Sequence, residues 1–338
     1  DYDEEELRPY FPLPSVMQGM FGIVSKLYNI RIEQRDTGED IEVWHPECCF
    51  YDLFDDASGD LLGSFYADWH PRESKRGGAW MNYFETGLPP MDGAPREPHL
   101  GLMVGNMTKP IGGQPALMDH REVETIFHEF GHLLHHLLAD VTVKSLSGTN
   151  VAWDFVELPS QIMENFCWDR ESLDLFARHY ETGDVIPDAL IEKIRASSTF
   201  NQGFQTSEYL AAAYLDLAWH EQAPDAAAGV KALEATEMDR IGLPMTIAPR
   251  YKSTYFQHIF AGDHYSAGYY AYIWAEVLDA DGFEAFKEQG LFDPATAQSF
   301  RQNILERGGS AEPMSLYRAF RGRDPAVDAL LVNRGLAS

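Results

Sequence analysis

Residues 127–132 read FHEFGH and place two histidines, His128 and His132, four positions apart, with Glu129 directly after the first. Side chains four positions apart on an α-helix lie on one face, with Cβ atoms roughly 5–6 Å apart, so both imidazoles can reach one zinc ion. Glu129 points away from that axis and can accept a proton from a zinc-activated water. Apolar residues recur around the motif with a helical period, which makes a chance match the weaker explanation. The segment predicts a zinc peptidase.

A catalytic zinc site takes three protein ligands and leaves a fourth position open, so one more ligand is needed. Glu157 lies 25 positions beyond His132, which leaves room for a loop and a return onto a second helix. Pro159 suits the first turn of that helix, where a missing N–H has no consequence. Glu122 and Glu164 are rival carboxylates, and we expect Glu164 to be a surface or buried-pair residue.

Two further side chains near these positions have open interpretations. Gln161 lies four residues after Glu157, so it either donates a hydrogen bond to that ligand or is an ordinary helix-surface amide. His135 lies three residues after His132, but a fourth nitrogen ligand would close the position that catalysis needs. We therefore expect His135 to be packed or hydrogen-bonded one turn deeper.

A family resemblance extends these observations. The runs HEFGHLLHHLL, SLSGTN and DFVELPSQIMENF, with GSFYADWHPRESKRGGAWM and NILERGGSAEPMSLYRAFRGRDP, resemble the zinc oligopeptidases that include thimet oligopeptidase, oligopeptidase A and bacterial peptidyl-dipeptidase. The resemblance implies a helical zincin-type, neurolysin-like catalytic domain. It also implies one zinc ion per chain, held by His128, His132 and Glu157, with Glu129 as the general base. Because family members are much longer, the chain resembles their C-terminal, catalytic half, and the missing N-terminal half is an expected partner.

A tyrosine-rich stretch follows at residues 265–272. Tyr265, Tyr269 and Tyr272 fall on one helical face, and phenol groups are hydrogen-bond donors of the kind that stabilise an oxyanion. The alternative is an aromatic packing stripe. The resemblance implies that His258, Tyr265 and Tyr272 bind substrate or stabilise the tetrahedral intermediate, and we predict Tyr269 as a substrate contact.

The same stretch contains two residues outside that face. Tyr270 points elsewhere, and we expect it to serve packing. His264 follows Asp263 where many relatives have a shorter glycine-rich loop that flexes over substrate. His264 is therefore either a substrate contact or an exposed loop histidine.

Composition restricts the partners. The 26 basic and 53 acidic side chains give a net charge of −27, which repels nucleic acid and anionic membranes, so we expect neither as a partner and short peptides as substrates. An apolar span of about 18 residues and a signal peptide are both absent from the sequence. The three cysteines, two of them adjacent at Cys48 and Cys49, form no disulfide framework, which favours a cytoplasmic setting. Because the chain begins at Asp1 rather than Met, we expect a processed or trimmed chain.

Periodicity and turn residues predict one mainly α metallopeptidase catalytic domain over residues 1–338. Helices are expected at 14–28, at the two zinc helices 119–138 and 155–168, and through a helical remainder, 171–338, at 171–180, 186–196, 203–220, 225–238, 265–280, 293–306 and 313–320. A β-rich part at about 41–107 is expected to form a small antiparallel sheet beside the zinc helix, with strands at 41–44, 48–54, 61–67 and 100–107.

The sheet suggests a way to bind substrate. We predict an edge strand at residues 101–106, beginning at Gly101, that pairs with the substrate backbone. The alternative is a fully internal strand at these positions.

Three functions are compatible with these features. The first is an oligopeptidase that cuts short unstructured peptides by Glu-assisted attack of zinc-bound water. The second is a peptidyl-dipeptidase that releases C-terminal dipeptides and needs a group to capture the substrate carboxylate, for which Arg250 and Lys252 qualify by charge and nearness to His258. The third is a zinc-stabilised peptide-binding module without catalysis, which would not need Glu129.

Overall fold

The computed structural model describes residues 4–38, 40–221, 229–262 and 265–337. Helices dominate these residues, which confirms the mainly α prediction: α1 Leu13–Tyr28, α2 His120–Leu137, α3 Leu158–Glu164, α4 Arg170–Phe176, α5 Asp188–Ser198, α6 Gln202–Glu221, α7 Val230–Arg240, α8 Gln257–Phe260, α9 Ala271–Gln289, α10 Pro294–Phe300, α11 Pro313–Arg321 and α12 Asp328–Asn333. The strands are β1 Ile30–Arg35, β2 Cys49–Asp55, β3 Leu61–Asp68, β4 Trp80–Glu85 and β5 His99–Val104. Within the described ranges, no helix is long and apolar enough to cross a membrane.

The helices agree with the sequence prediction except at several ends. The second zinc helix is shorter than expected, because α3 ends at Glu164 and a 3₁₀ turn, Asn165–Cys167, continues it. The helix expected from residue 265 begins only at Ala271, after a turn in which Ala267 has a left-handed φ of 57°. The short helices α8 and α12 were not predicted, since four and six residues are too few for a clear helical period.

The sheet is mixed, so the prediction of an antiparallel sheet is wrong. Its strand order is β1-β2-β3-β5-β4, and β5 runs parallel to β3 while every other neighbouring pair is antiparallel. The chain passes β3, forms β4 at a distance, and then inserts β5 between the two. The expected strand at 41–44 is irregular, whereas β1 and β4 were missed. Strand direction depends on this long-range insertion, which short apolar runs do not encode.

The insertion also decides which strand lies at the edge. Gly101 pairs with Phe65 on one side and Tyr83 on the other, so the prediction of an edge at 101–106 is wrong and the internal alternative is correct. A Cβ atom at Gly101 would lie 2.5 Å from Leu133 Cδ1, so this glycine allows α2 to pack closely on the sheet. Gly101 is a packing residue, and the edge next to α2 is β4.

Buried apolar side chains form two separate clusters. The main core joins α1, the sheet, α2, α3 and the C-terminal helices, and it includes Phe65, Phe127 and Phe130. A small cluster supports the tyrosine segment, by which we mean the described residues 256–262 and 265–272. Its buried members are Tyr209, Ala212, Ala213, Phe256, Ile259 and Tyr269. Helix α2 and the tyrosine segment therefore rest on cores of very different size.

Candidate active site

Helix α2 presents the two motif histidines on one face. The Asp119 side chain accepts a hydrogen bond from the Glu122 backbone N–H, and the Glu122 side chain accepts one from the Asp119 backbone N–H, so the helix start is well defined. His128 and His132 follow two and three turns later, and their ring centroids lie 4.9 Å apart. The face behind them is buried in the main core. Capping and burial together hold the orientation of both imidazoles.

Glu157 reaches the same point from the start of α3. Its Oε2 lies 3.1 Å from His132 Nε2 and 3.4 Å from His128 Nε2, and its side chain is only 5% exposed. The close approach of the two helices depends on Gly131, because a Cβ there would lie 2.2 Å from the Pro159 carbonyl oxygen. Burial alone would raise the pKa of Glu157, but the imidazoles beside it hold that pKa well below its usual range.

These three side chains fit a zinc ion. Each offers one ligand atom, and the three atoms lie within 4.8 Å of one another. Ligand atoms about 2.0–2.2 Å from a tetrahedral zinc are separated by roughly 3.3–3.6 Å, close to the two nitrogen–oxygen distances given above. Two imidazoles and one carboxylate are also a donor set that catalytic zinc sites use. The predicted ligands are therefore brought together in a suitable arrangement.

Two neighbours hold the ligand side chains, and neither is the predicted one. Glu164 accepts a hydrogen bond from His128 Nδ1 at 2.6 Å, which directs Nε2 toward Glu157. Ser160 Oγ donates to Glu157 Oε2 at 3.0 Å. Gln161 instead donates to the Tyr272 carbonyl oxygen at 3.2 Å and is 7% exposed, so both interpretations from the sequence, a donor to a metal ligand and a surface amide, are wrong. Glu164 is therefore paired with His128, as one of its expected roles had it, but the pair is only partly buried because the Glu164 side chain is 35% exposed.

Glu129 lies next to the candidate ligands but is not one of the three residues whose ligand atoms converge. The residue is 7% exposed and lies next to the Met81 backbone amide of the edge strand β4. Burial raises the pKa of Glu129, and the imidazoles of His128 and His132 offset that rise only in part. A carboxylate placed here, between the ligand helix and a strand edge, can exchange a proton with a group bound in the cleft.

The tyrosine segment reaches the ligands through a chain of hydroxyl groups. Tyr265 donates to Glu157 Oε1 at 3.0 Å, and Tyr272 donates to the Tyr265 hydroxyl at 2.8 Å. His258 Nε2 lies 3.0 Å from the Tyr272 hydroxyl. The rings of Tyr265 and Tyr272 stack at 5.4 Å. The three residues singled out from the sequence thus form one connected group beside the metal ligands.

With this geometry established, the chain can be compared with known proteins. The profile of peptidase family M3 matches residues 1–336. The chain belongs to this family. It is 43% identical over 338 residues to oligopeptidase A of Escherichia coli, covering 98% of this chain and 48% of that protein.

Two further M3 relatives extend the comparison. Identity to the dipeptidyl carboxypeptidase of Escherichia coli is 41% over 344 residues, which cover 99% of this chain and 48% of that protein. Identity to saccharolysin of Saccharomyces cerevisiae is 31% over 349 residues, with coverages of 99% and 47%. The chain therefore spans about half the length of the relatives it matches, and the predicted family resemblance is confirmed.

In this M3 family member, a buried carboxylate that the sequence did not reveal positions the tyrosine segment. Asp216 of α6 is fully buried and accepts hydrogen bonds from the backbone N–H groups of Ala267 at 2.9 Å and Tyr269 at 2.8 Å. It also lies 2.8 Å from His220 Nδ1. An aspartate on the alanine-rich, buried face of α6 is the signal that could have identified it.

The remaining residues of the tyrosine segment differ from expectation. Tyr269 is 3% exposed and stacks on Tyr209, so it belongs to the packing stripe and not to a substrate surface. Tyr270, expected to serve packing, is instead 41% exposed and donates to Asp154 Oδ2 at 2.9 Å. His264 lies outside the described residues.

The last two histidines of α2 divide between packing and strand attachment. His135 is fully buried with no hydrogen-bond partner for either ring nitrogen among the described residues, which confirms that it packs below the site. Burial lowers the pKa of both His135 and His136 to about 3, so both rings are neutral. His136 Nε2 donates to the Glu85 carbonyl oxygen at 3.0 Å, and its ring stacks on Tyr83. His136 therefore attaches the end of β4 to the ligand helix.

Proposed function

We propose that this chain is the catalytic domain of a zinc metallopeptidase that hydrolyses peptide bonds in short unstructured oligopeptides. The observation that carries the proposal is the convergence of His128, His132 and Glu157 next to the separate carboxylate of Glu129. Membership of peptidase family M3 supports the same reaction class. A purely structural metal site would not need the additional carboxylate.

The three convergent side chains would hold the ion. Bound there, zinc supplies a Lewis acid that polarises the scissile carbonyl and lowers the pKa of the attacking water. Glu129 accepts the proton of that water and afterwards delivers it to the leaving amine. Glu164 keeps His128 in the tautomer that presents Nε2.

Substrate would bind along the outer edge of β4. This strand ends the sheet, and its Met81 lies beside Glu129, so an extended peptide added to the edge would pass close to the general base. Main-chain pairing gives affinity with little dependence on side chains, as expected for a peptidase of broad substrate range. The edge assigned from the sequence, at 101–106, is thereby replaced by β4.

The tyrosine segment would stabilise the charge that develops on the substrate oxygen. Tyr265 and Tyr272 are hydroxyl donors next to Glu157, and His258 completes their hydrogen-bonded group. Tyr265 donates to Glu157 in this structure, so it must exchange that partner before it can donate to substrate. Tyr272 can take the same role through Tyr265 or directly.

The variant Glu129→Gln tests the proposal. It keeps the shape of the side chain and removes the base, so the zinc content should stay near one ion per chain while kcat falls by roughly 10²–10⁴-fold. Metal analysis and cleavage of a quenched fluorescent peptide give the two readouts, with a chelator-treated sample as control. Near-normal turnover by the variant, or chelator-resistant cleavage by the parent, would contradict the assignment.

A second function is release of C-terminal dipeptides. It is favoured by the dipeptidyl carboxypeptidase relative, whose 41% identity is close to the 43% of oligopeptidase A. A peptide with an amidated C-terminus separates the two, because an endopeptidase should cut it and a peptidyl-dipeptidase should not. Product masses then identify the bond.

The rest of the protein is the expected macromolecular partner. Because the chain spans 48% of oligopeptidase A, a second half would form another wall of the cleft and limit the size of the substrates. An intact-mass measurement of the native protein decides whether such a half accompanies the chain.

A further inference from the structure

Arg250 lies where the catalytic cleft meets a second cavity. The cleft has a volume of about 550 Å³, and His128, Glu129, Glu164 and Arg250 all line it. The adjoining polar cavity, of about 330 Å³, shares Glu164 and Arg250 with the cleft. Arg250 therefore stands at the junction, within reach of any peptide that passes the general base.

Among the described residues, the guanidinium group of Arg250 forms no ion pair with a carboxylate, although the negative charge of Glu208 helps to raise its pKa. The other arginine that lines the polar cavity is paired, because Arg334 lies against Glu276. Arg121, which also lines the cleft, lies 4.0 Å from Glu4. An arginine without an ion pair among the described residues, in a cleft that Glu129 and Glu164 also line, is available to bind an anionic group of a ligand.

The surroundings of Arg250 keep it in place for a ligand. Its backbone N–H donates to the Glu208 carbonyl oxygen at 3.4 Å, and its guanidinium lies beside the hydroxyl of the buried Tyr269. Tyr269 is in turn held by Asp216 and by Tyr209. A guanidinium supported by a neutral phenol keeps donors available, whereas one paired with a carboxylate does not.

Lys252, the other cation considered from the sequence, lies elsewhere. It lines a separate pocket with Lys231 and Glu234. The described residues that line this pocket include neither a candidate metal ligand nor Glu129. Nearness in sequence to His258 therefore did not predict which of the two cations enters the cleft.

We propose that Arg250 binds a carboxylate group of the peptide that occupies the cleft, an inference that rests on the proposed peptidase function. A guanidinium forms two parallel hydrogen bonds with a carboxylate, which fixes both its position and its orientation. The requirement for a cation is strong here, because Glu129 and Glu164 line the same cleft and would otherwise repel an acidic ligand. The carboxylate is either the free C-terminus of the substrate or an aspartate or glutamate side chain.

The binding of three matched peptides distinguishes a C-terminal carboxylate from a side-chain carboxylate. The peptides are a hexapeptide with a free C-terminus, the same peptide as an amide, and an amide with glutamate at the last position. Titration calorimetry with zinc-loaded Glu129→Gln protein measures affinity without turnover. Adding Arg250→Gln should lower the affinity for the free-acid peptide roughly ten- to hundredfold. It should lower the affinity for the plain amide less than about twofold.

The outcomes have defined meanings. If only the free-acid peptide loses affinity, Arg250 binds the C-terminal carboxylate. If only the glutamate amide loses affinity, Arg250 binds a side-chain carboxylate. Either result supports the proposal. Equal loss for all three peptides, or no loss for any, overturns it. Arg250→Lys should retain part of the discrimination because it keeps the charge but not the forked geometry.

Lys252→Gln is the matched control, since it removes the same charge two residues away and outside the cleft. It should leave all three affinities within about twofold of the parent. Thermal unfolding of each variant verifies that the fold is kept. Cleavage of the plain amide by the parent protein tests the proposed function separately, because the binding series decides the role of Arg250 even if no peptide is cut.

Discussion

The candidate metal ligands and the tyrosine segment beside them differ in the core that supports them. His128, His132 and Glu157 stand on helices α2 and α3, which are packed into the main core through residues such as Phe127 and Phe130. The tyrosine segment rests on a cluster of six buried residues, three of which belong to α6.

The difference shows two ways of positioning a functional side chain. On the metal side, apolar burial and the close approach at Gly131 determine where the ligands lie. On the tyrosine side, apolar burial is small, and the backbone is held by hydrogen bonds to one buried carboxylate, Asp216. Regions with few buried apolar contacts open at lower free energy, so the tyrosine segment should be the more mobile side.

Glu157→Ala should have the largest effect, because it removes a ligand from the rigid side. Zinc affinity should fall by more than the roughly 10–100-fold expected for loss of an outer partner, and peptide cleavage should be lost with it. Titration against a competing chelator measures the affinity. Glu97→Ala, on an exposed surface pair with Lys144, is the control, and comparable loss there would contradict a specific role.

Tyr272→Phe should have the second-largest effect, and it changes the tyrosine segment rather than the candidate metal ligands. Losing one donor to a developing oxyanion typically lowers kcat by about 10²–10³-fold, with zinc affinity unchanged. Tyr265→Phe should lower kcat and also weaken zinc binding, since Tyr265 donates to Glu157. Steady-state kinetics and zinc titration measure both. An effect on KM alone would instead indicate a ground-state substrate contact.

Glu164→Gln should weaken zinc binding by roughly 10–100-fold, because it removes the carboxylate that orients His128. Gln161→Met is the matched comparison: it lies on the same helix but bonds to the Tyr272 carbonyl oxygen. We expect this second variant to leave zinc affinity within about twofold of the parent. If both variants lost zinc equally, the two sides of the cleft would not be separately supported.

Asp216→Asn should have the smallest effect, and only on the tyrosine side. Weakening two charge-assisted hydrogen bonds should lower the free energy of local opening by about 1.5–3 kcal/mol. Hydrogen exchange should therefore accelerate at Ala267 and Tyr269 while the amides of α2 keep their protection. Faster exchange throughout α2 would show that the two sides unfold together.

Several features could be predicted because they depend on short stretches of chain. The spacing of His128 and His132 places them on one face of any helix, and the cap at Asp119 and the apolar period define that helix. Most other helices were also predictable, with errors at their ends. The positions of His258, Tyr265 and Tyr272 followed from family resemblance, and the structure brings all three together.

Other features were decided by contacts between distant parts of the chain. Sequence analysis placed the sheet edge at 101–106, but β5 is inserted between β3 and β4, so the edge is β4. It left Gln161 either as a donor to a metal ligand or as a surface amide, whereas the buried amide donates to the Tyr272 carbonyl oxygen. It also did not identify Asp216, whose partners lie about fifty positions further along the chain.

The sequence by itself therefore determined the chemistry that we propose for this protein: a pair of histidines, a candidate third ligand and a nearby carboxylate, all indicated by local spacing and family resemblance. The tertiary structure alone decided strand order, which of two neighbouring cations enters the cleft, and which carboxylate holds the tyrosine segment. The physical reason is that helical periodicity is a property of a few consecutive residues. Strand insertion and burial of charge depend instead on the whole chain closing around its core.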